Sequence, residues 1–176
     1  MPIHLVFETH ATTEDNENGR ATGWLPGRLS DNGREQAREL GLRRAGDGLA
    51  AVFTSDLGRA LETVEIAFAG PDIRVMHDWR LRECDYGELN GGPVADLDRT
   101  GHIHVPYPSG ESWSGAIDRA SRFVDDLALR WSDRRVLVVG HTATRWAFDH
   151  LLTGALIEDL VAAPFEWREG WEYRVG

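Results

Sequence analysis

The chain has 176 residues, 41% of them hydrophobic, and a formal net charge of −10 at pH 7. A chain of this length can bury one core of ordinary size, so we expect one domain over residues 1–176. The negative charge argues against a protein that binds nucleic acid by neutralising its phosphates. No apolar run approaches the roughly 20 residues that span a bilayer, and the first residues lack a signal-peptide pattern. We therefore expect a cytoplasmic protein that does not contact a membrane.

The basic and sulfur-containing residues exclude several kinds of chemistry. All 19 basic residues are arginines. The absence of lysine excludes a Walker-type phosphate loop and a Schiff-base mechanism, and it leaves arginine to supply any fixed cation in a site. The single cysteine, Cys84, has no partner for an internal disulfide and no neighbours at metal-ligand spacing.

The first part of the chain alternates apolar runs with helical patterns. A buried strand ends just before His10, and a long polar loop follows it. A helix capped by Ser30 comes next, then a second short strand, then a helix that begins at Ser55 or Asp56. The loop, the first helix and the second strand are predicted over residues 11–28, 30–48 and 49–54.

The second part of the chain continues the alternation. A weak strand at residues 73–76 precedes a connection, up to about Gly110, that has no clear pattern. A helix from Ser112 to about Trp131 and the strand RRVLVVG then lead to His141, and a further helix ends at Gly154. We interpret the tail, with Trp167, Trp171 and Tyr173, as a packing arm.

This order of elements predicts an α/β fold with three layers, α/β/α, around a mainly parallel central sheet. In such sheets, ligands bind at the carboxyl ends of the strands. Four chemically active residues follow the proposed strands: His10, Arg59, Glu83 and His141. Phosphoryl transfer needs a nucleophile, cations for the phosphoryl oxygens and a proton donor for the leaving oxygen. The four side chains supply all three.

The motifs around these residues resemble those of the histidine phosphatase superfamily, also called phosphoglycerate mutase-like. HATTEDN matches the family signature R-H-G-E-T-x-x-N from the histidine onward, and GRATGWLPGRLSDNGREQA is similar to the segment that follows it. FTSDLGRALET, RLRECDYGELNG, PSGESW and VLVVGHTATRWAFDHLL continue the resemblance in the same order, over about residues 3–155.

The resemblance implies a phosphoglycerate mutase-like fold and a role for each matching residue. His10 stands at the phosphorylated histidine and Glu83 at the proton donor. The phosphate-binding positions are taken by Thr13, Asn16, Arg59 and His141. The implied reaction needs no metal and no cofactor. His102 and His104 are one residue apart but lack a third metal ligand.

One departure concerns the cations of the pocket. The chain has ETHATT where the family has RHGET, so Thr9 replaces the arginine before the nucleophile and Glu8 brings an acidic group nearby. Arg20, Arg82 or Arg145 could compensate by turning inward. For Arg145 an ordinary helix-surface role is as well supported, and for Arg82 a structural role is favoured. A charge-assisted contact contributes about 1.5–3 kcal/mol, so loss of one cation could weaken phosphate binding or slow turnover by one or two powers of ten.

The sequence favours a phosphatase that acts on a small phosphorylated molecule or a phosphopeptide. A mutase is the second interpretation, but mutases of the resembling family carry longer insertions that shield the phosphoenzyme from water. A non-catalytic phosphate-ligand binder with an eroded pocket is the third, supported by Thr9 and opposed by the four retained groups. The substrate and the oligomeric state leave no pattern in the sequence.

Overall fold

The computed structural model describes residues 2–70 and 72–176, and the strands within them form one sheet. These strands are β1 (Ile3–Thr9), β2 (Ala51–Thr54), β3 (Val75–His77), β4 (Arg135–Gly140) and β5 (Trp171–Val175). Their order across the sheet is β3-β2-β4-β1-β5. The first four are parallel, and β5 pairs antiparallel with β1.

The helices of the described residues are α1 (Glu14–Glu17), α2 (Asp31–Arg44), α3 (Gly58–Ala67), α4 (Trp113–Arg130), α5 (Thr142–Thr153) and α6 (Ile157–Ala162). Two of them begin where the sequence predicts, because Ser30 Oγ accepts from the Gly33 amide and Ser112 Oγ accepts from the Gly115 amide. Gly154 ends α5 with a φ of 78°, a left-handed conformation that favours glycine.

Helices cover both faces of the sheet. On one face Leu40 of α2 and Val64 of α3 pack with Val6, Val52 and Val139. On the other face, Phe123 of α4 and Phe148 of α5 pack with Phe7, Phe53 and Val138. The predicted three-layer α/β/α fold with a mainly parallel sheet is therefore confirmed.

Several predicted boundaries are wrong by a few residues. Helix α2 ends at Arg44 rather than near Gly48, and α3 begins at Gly58 after an extended Leu57 rather than at Ser55. The loop after His10 contains the single turn α1. The unassigned connection contains short 3₁₀ turns at Trp79–Leu81, Gly87–Leu89, Val94–Asp96 and Thr100–His102.

The tail is more regular than predicted. It follows α6 and contains the edge strand β5, in which Trp171, Tyr173 and Val175 are buried and the residues between them are exposed. The packing interpretation is thus right for Trp171 and Tyr173. It is wrong for Trp167, whose side chain is 59% exposed.

The strand register brings the two histidine-bearing strand ends together. Thr9 of β1 lies opposite Gly140 of β4, and the His10 amide donates to the Gly140 carbonyl at 2.9 Å. His10 and His141 therefore emerge side by side at the carboxyl edge of the sheet, as predicted. Within residues 2–70 and 72–176, none of the helices combines the length and the apolar character that crossing a membrane requires.

Candidate active site

His10 is held in one tautomer by its own backbone. Its Nδ1 lies 2.8 Å from the carbonyl oxygen of Ala11. A carbonyl can only accept, so we assign the proton of the neutral ring to Nδ1 and the lone pair to Nε2. The loop that follows is fixed against α2, because a Cβ on Gly33 would lie 1.9 Å from the Thr12 carbonyl oxygen. His10 thus presents a nucleophilic nitrogen from a rigid strand end.

His141 is held from both sides. Its Nε2 lies 2.6 Å from Ser55 Oγ, and its Nδ1 lies 3.3 Å from Nη2 of Arg59. Arginine can only donate, so Nδ1 carries the lone pair and Nε2–H donates to Ser55. The ring centroids of His10 and His141 are 5.1 Å apart. Two imidazoles and a guanidinium therefore converge on one point.

The surroundings keep both imidazoles neutral. Burial, with a further contribution from the Arg59 charge, lowers the pKa of His10 to about 3, although the bond to the Ala11 carbonyl opposes the shift. Burial and the charge of Arg59 also hold the pKa of His141 well below its ordinary value. A neutral His10 retains the lone pair that nucleophilic attack requires.

Arg59 is the buried cation of the site, only 2% exposed. It lies in the first turn of α3, and its Nη1 and Nη2 atoms donate to the carbonyls of Leu25 and Gly23 at 2.9 Å. These bonds fix the guanidinium beside His141. The positive charge of Arg59 can attract an oxyanion that binds beside His10.

Glu83 is bound at the amino end of α5, the helix that begins after His141. Its Oε1 accepts from the amides of Cys84 and Ala143 at 2.9 and 3.0 Å, and its Oε2 accepts from Thr142 at 3.2 Å. The residue is only 8% exposed. Of its two oxygens, Oε2 has the fewer and longer contacts, so it is the better placed to exchange a proton.

Thr13 and Asn16 bind each other. Thr13 Oγ1 accepts from the Asn16 amide at 2.9 Å, and Asn16 Oδ1 accepts from the Thr13 amide at 3.0 Å, which forms a capping box on α1. Thr13 is fully buried by this role. Asn16 lines the cleft beside His10, and within residues 2–70 and 72–176 its side-chain amide has no acceptor, so it can donate to a ligand.

Glu8 is neutralised by two arginines of α2. Arg44 Nη2 lies 2.7 Å from Glu8 Oε1, and Arg43 Nη2 lies 3.2 Å from Oε2. The Glu8 side chain is only 1% exposed. The acidic group before the nucleophile is therefore offset by two positive charges.

The three arginines proposed to replace the missing cation have other partners in the structure. Arg145 pairs with Asp149 at 3.1 Å, and Arg82 pairs with Asp56 at 2.6 Å. Arg20 is exposed and donates to a backbone carbonyl at 2.9 Å. Nearer groups bind all three side chains, so the structure gives no support for an inward turn.

An open cleft of about 600 Å³ leads away from His10 and His141. Thr9 and Arg99 line it, and in the part of the chain that the structure describes Arg99 has no ion-pair partner. Phe165 and Trp167 of the tail also line it. Sequence reasoning missed Arg99 and Phe165 and gave Trp167 only a packing role, because these residues do not directly follow one of the predicted strands.

Ser55 was missed for a different reason. It directly follows β2, as His10 follows β1, but we interpreted it as a helix cap. Residues that directly follow parallel strands lie at the carboxyl edge of the sheet. The same reasoning that singled out His10 and His141 would therefore have identified Ser55 as a site residue.

Metal binding has no support in the described residues 2–70 and 72–176, where no group of three or more His, Cys, Asp or Glu side chains is arranged to hold an ion. The two closely spaced histidines, His102 and His104, contact different side chains. His102 stacks on Tyr107, and His104 Nε2 lies 3.4 Å from Glu158.

Comparison with known proteins identifies relatives along most of the chain. The sequence model of the histidine phosphatase superfamily (branch 1) matches residues 5–165. Phosphoglycerate mutase of Candida albicans is 31% identical, over 90% of this chain and 72% of its own length. Phosphoserine phosphatase 1 of Hydrogenobacter thermophilus is 29% identical, over 86% of this chain and 77% of its own.

Solved structures give the same result. Bacillus stearothermophilus YhfR superposes with a TM-score of 0.86 at 28% identity, covering 95% of this chain and 88% of its own. The family match over residues 5–165, together with these likenesses, shows that the chain belongs to the histidine phosphatase superfamily.

Proposed function

We propose that the protein is a metal-independent phosphatase that hydrolyses a small phosphate monoester through a phosphohistidine at His10. The observation that carries the proposal is the 2.8 Å contact between His10 Nδ1 and the Ala11 carbonyl, which leaves Nε2 unprotonated. His141 and Arg59 lie beside it, and the chain is a member of a family that includes phosphatases.

In the first half of the reaction, Nε2 of His10 attacks phosphorus, and the bond from phosphorus to the leaving oxygen breaks. Arg59 and Asn16 hold the phosphoryl oxygens, and His141 is fixed beside them by Ser55 and Arg59. Glu83 gives a proton to the leaving oxygen, so the alcohol departs neutral. The products of this half are the free alcohol, phosphohistidine and the Glu83 carboxylate.

In the second half, a water molecule attacks phosphorus and the bond to His10 breaks. Glu83 takes the proton from this water, and inorganic phosphate leaves. The enzyme returns to its starting state, with Nε2 again unprotonated. The open cleft favours this outcome because it admits water to the phosphohistidine.

A mutase is the second candidate, supported by the likeness to the phosphoglycerate mutase of Candida albicans. The alignment covers 72% of that enzyme. Hydrolysis and mutase activity share the phosphohistidine and differ in the acceptor, which is water or a second substrate oxygen.

The test is a paired assay on the purified protein. With a set of monoesters that includes phosphoserine and 3-phosphoglycerate, we expect inorganic phosphate release that His10→Asn abolishes. With a phosphodonor, mass spectrometry should find an acid-labile phosphate on His10. Isomerised phosphoglycerate without phosphate release would establish the mutase instead.

Two outcomes would contradict catalysis at His10. Full phosphate release by the folded His10→Asn variant would remove its nucleophilic role. Absence of both phosphohistidine and turnover, combined with phosphate binding measured by calorimetry, would establish the non-catalytic binder. His4→Asn is the matched control, because His4 is an exposed histidine near the start of the same strand.

A further inference from the structure

Two exposed aromatic residues border the cleft. Phe165 and Trp167 belong to the segment Pro164–Gly170 between α6 and β5, which we call the tail loop. Their exposed fractions are 48% and 59%, whereas Trp171, which follows the tail loop, is 8% exposed. Large apolar side chains left exposed at a cleft are a common feature of ligand sites.

The tail loop is anchored at its carboxyl end. Arg44 Nη2 donates to the Glu169 carbonyl at 2.9 Å. The next residue, Gly170, has a φ of +94°, and a Cβ there would lie 2.2 Å from Arg44 Nη2. The positive φ favours glycine, and the contact with Arg44 places the loop against α2.

The same anchor joins the tail loop to the nucleophile. Arg44 pairs with Glu8, and Glu8 lies on β1 two residues before His10. The aromatic side chains are therefore placed relative to His10 by a buried ion pair. This connection gives Glu8 a role that an apolar strand residue would not have.

The cleft is also lined by polar side chains of α2. Gln36 uses its Oε1 to accept from the Thr12 amide, and among the described residues its side-chain amide has no acceptor, so it can donate to a ligand. Glu39 offers an exposed carboxylate. The lining can therefore both donate and accept hydrogen bonds, in addition to the two apolar rings.

The formal charges along this cleft balance. The side chains that line it include two carboxylates, of Glu8 and Glu39, and two guanidinium groups, of Arg43 and Arg99. The lining thus has no excess of positive charge for a second anionic group on the substrate, and the net charge of −10 on the chain disfavours such a group. The cleft thus suits an uncharged group.

We propose that this cleft binds the alcohol part of the substrate, and that the substrate class is a phosphate monoester whose alcohol carries a flat, uncharged ring. This inference rests on the proposed phosphatase function. Trp167 and Phe165 contact the faces of the ring, because offset stacking is the preferred geometry for planar groups. Gln36 and Glu39 bind polar substituents at its edge.

The test compares three primary alkyl phosphates whose leaving groups differ in shape: 2-naphthylmethyl, cyclohexylmethyl and butyl phosphate. We expect the wild-type protein to have the highest kcat/KM for the flat ring. Trp167→Ala should reduce that value about 10-fold and leave butyl phosphate within about twofold, since the ring contact alone is lost. Trp167→Phe should restore part of the preference.

Leu129→Ala is the matched control, because Leu129 is an 83% exposed apolar residue of α4 that lies outside this cleft. Leu129→Ala should leave kcat/KM unchanged for all three esters. A Trp167→Ala variant that hydrolyses all three esters with an unchanged ratio would overturn the ring subsite while leaving the phosphatase function standing. A stronger wild-type preference for cyclohexylmethyl phosphate would also overturn the flat-ring class.

Binding of the alcohol separates the two proposals. In calorimetry, 2-naphthalenemethanol should bind to the wild-type protein and to His10→Asn alike, and more weakly to Trp167→Ala. If the protein hydrolyses no ester but shows this pattern, the phosphatase proposal fails and the ring subsite stands. Equal affinity for the alcohol in the presence and absence of Trp167 contradicts the subsite.

Discussion

Ser55 Oγ lies 2.6 Å from Nε2 of His141, and this contact sets which nitrogen of His141 faces Arg59. Because Ser55 accepts from Nε2–H, the lone pair is on Nδ1, next to the guanidinium. Ser55 does not reach the nucleophile. It acts through His141, as a positioning residue.

Ser55→Ala should therefore lower kcat/KM by about 10-fold and the free energy of unfolding by about 1–3 kcal/mol, because a buried imidazole donor loses its partner. Nitrogen NMR of His141 should show a mixture of tautomers, an effect that simple destabilisation would not produce. Ser121→Ala removes a hydroxyl from α4 that donates to the Ile117 carbonyl, and it serves as the control. An unaltered tautomer in Ser55→Ala would refute the positioning role.

The neutral histidines predict a pH dependence of stability. The pKa of folded His10 is about 3, below the 6.5 of an unperturbed histidine, so the unfolded chain binds more protons between these pH values. The contribution of His10 to stability is fully present above about pH 6.5 and is lost as the pH falls towards 3. The lowered pKa of His141 acts in the same direction.

NMR titration checks this directly. The ring signals of His10 and His141, assigned with the His10→Asn and His141→Asn variants, should show no titration between about pH 5 and 8 in the folded protein. The unfolded chain in denaturant is the control, where histidines titrate near their ordinary pKa. A midpoint near 6.5 for either residue in the folded state would contradict the prediction.

The buried ion pair of Glu8 should dominate local stability. Arg44→Met leaves Glu8 with Arg43 alone and should cost about 3–5 kcal/mol in denaturant unfolding. Glu8→Leu combined with Arg44→Met should cost less than Arg44→Met alone, because the buried carboxylate that Arg43 offsets only in part is then removed. Arg38→Met, which breaks an exposed pair with Glu35, should cost less than about 1 kcal/mol. Strictly additive effects of Glu8 and Arg44 would argue against their coupling.

Restoring an arginine before the nucleophile gives a fourth prediction. Thr9 lines the cleft, so a guanidinium at this position can reach a phosphate beside His10. Thr9→Arg should lower KM for a small phosphate monoester about 10-fold, since a charge-assisted contact contributes about 1.5–3 kcal/mol. Thr9→Gln adds length without charge and should leave KM nearly unchanged. An equal effect of both variants would exclude the electrostatic explanation.

The central strands and helices can be predicted from the sequence because the residue patterns that specify them are local. Apolar runs specify β1 and β4, and the capping side chains of Ser30 and Ser112 specify two helix starts. Strand β5 was missed although Trp171, Tyr173 and Val175 alternate with polar residues, because the aromatic content suggested packing rather than a strand.

For the site, the rule of residues after strands brought together the correct neighbours. Arg59 contacts His141, and Glu83 accepts from the first amides of α5, the helix that follows His141. The rule could not find the tail loop, because the position of Trp167 depends on Arg44, about 120 residues earlier in the chain. Long-range ion pairs of this kind leave no periodic pattern in a sequence.

The strand order also affects how the protein is made. Strand β1 pairs with β4 and β5, and both are formed by the last third of the chain. During synthesis the apolar β1 remains unpaired until residues 135–175 have left the ribosome. Pairing between strands that lie far apart in the sequence slows folding. We therefore expect the newly made chain to depend on chaperones until β1 has paired with β4, which brings His10 and His141 together.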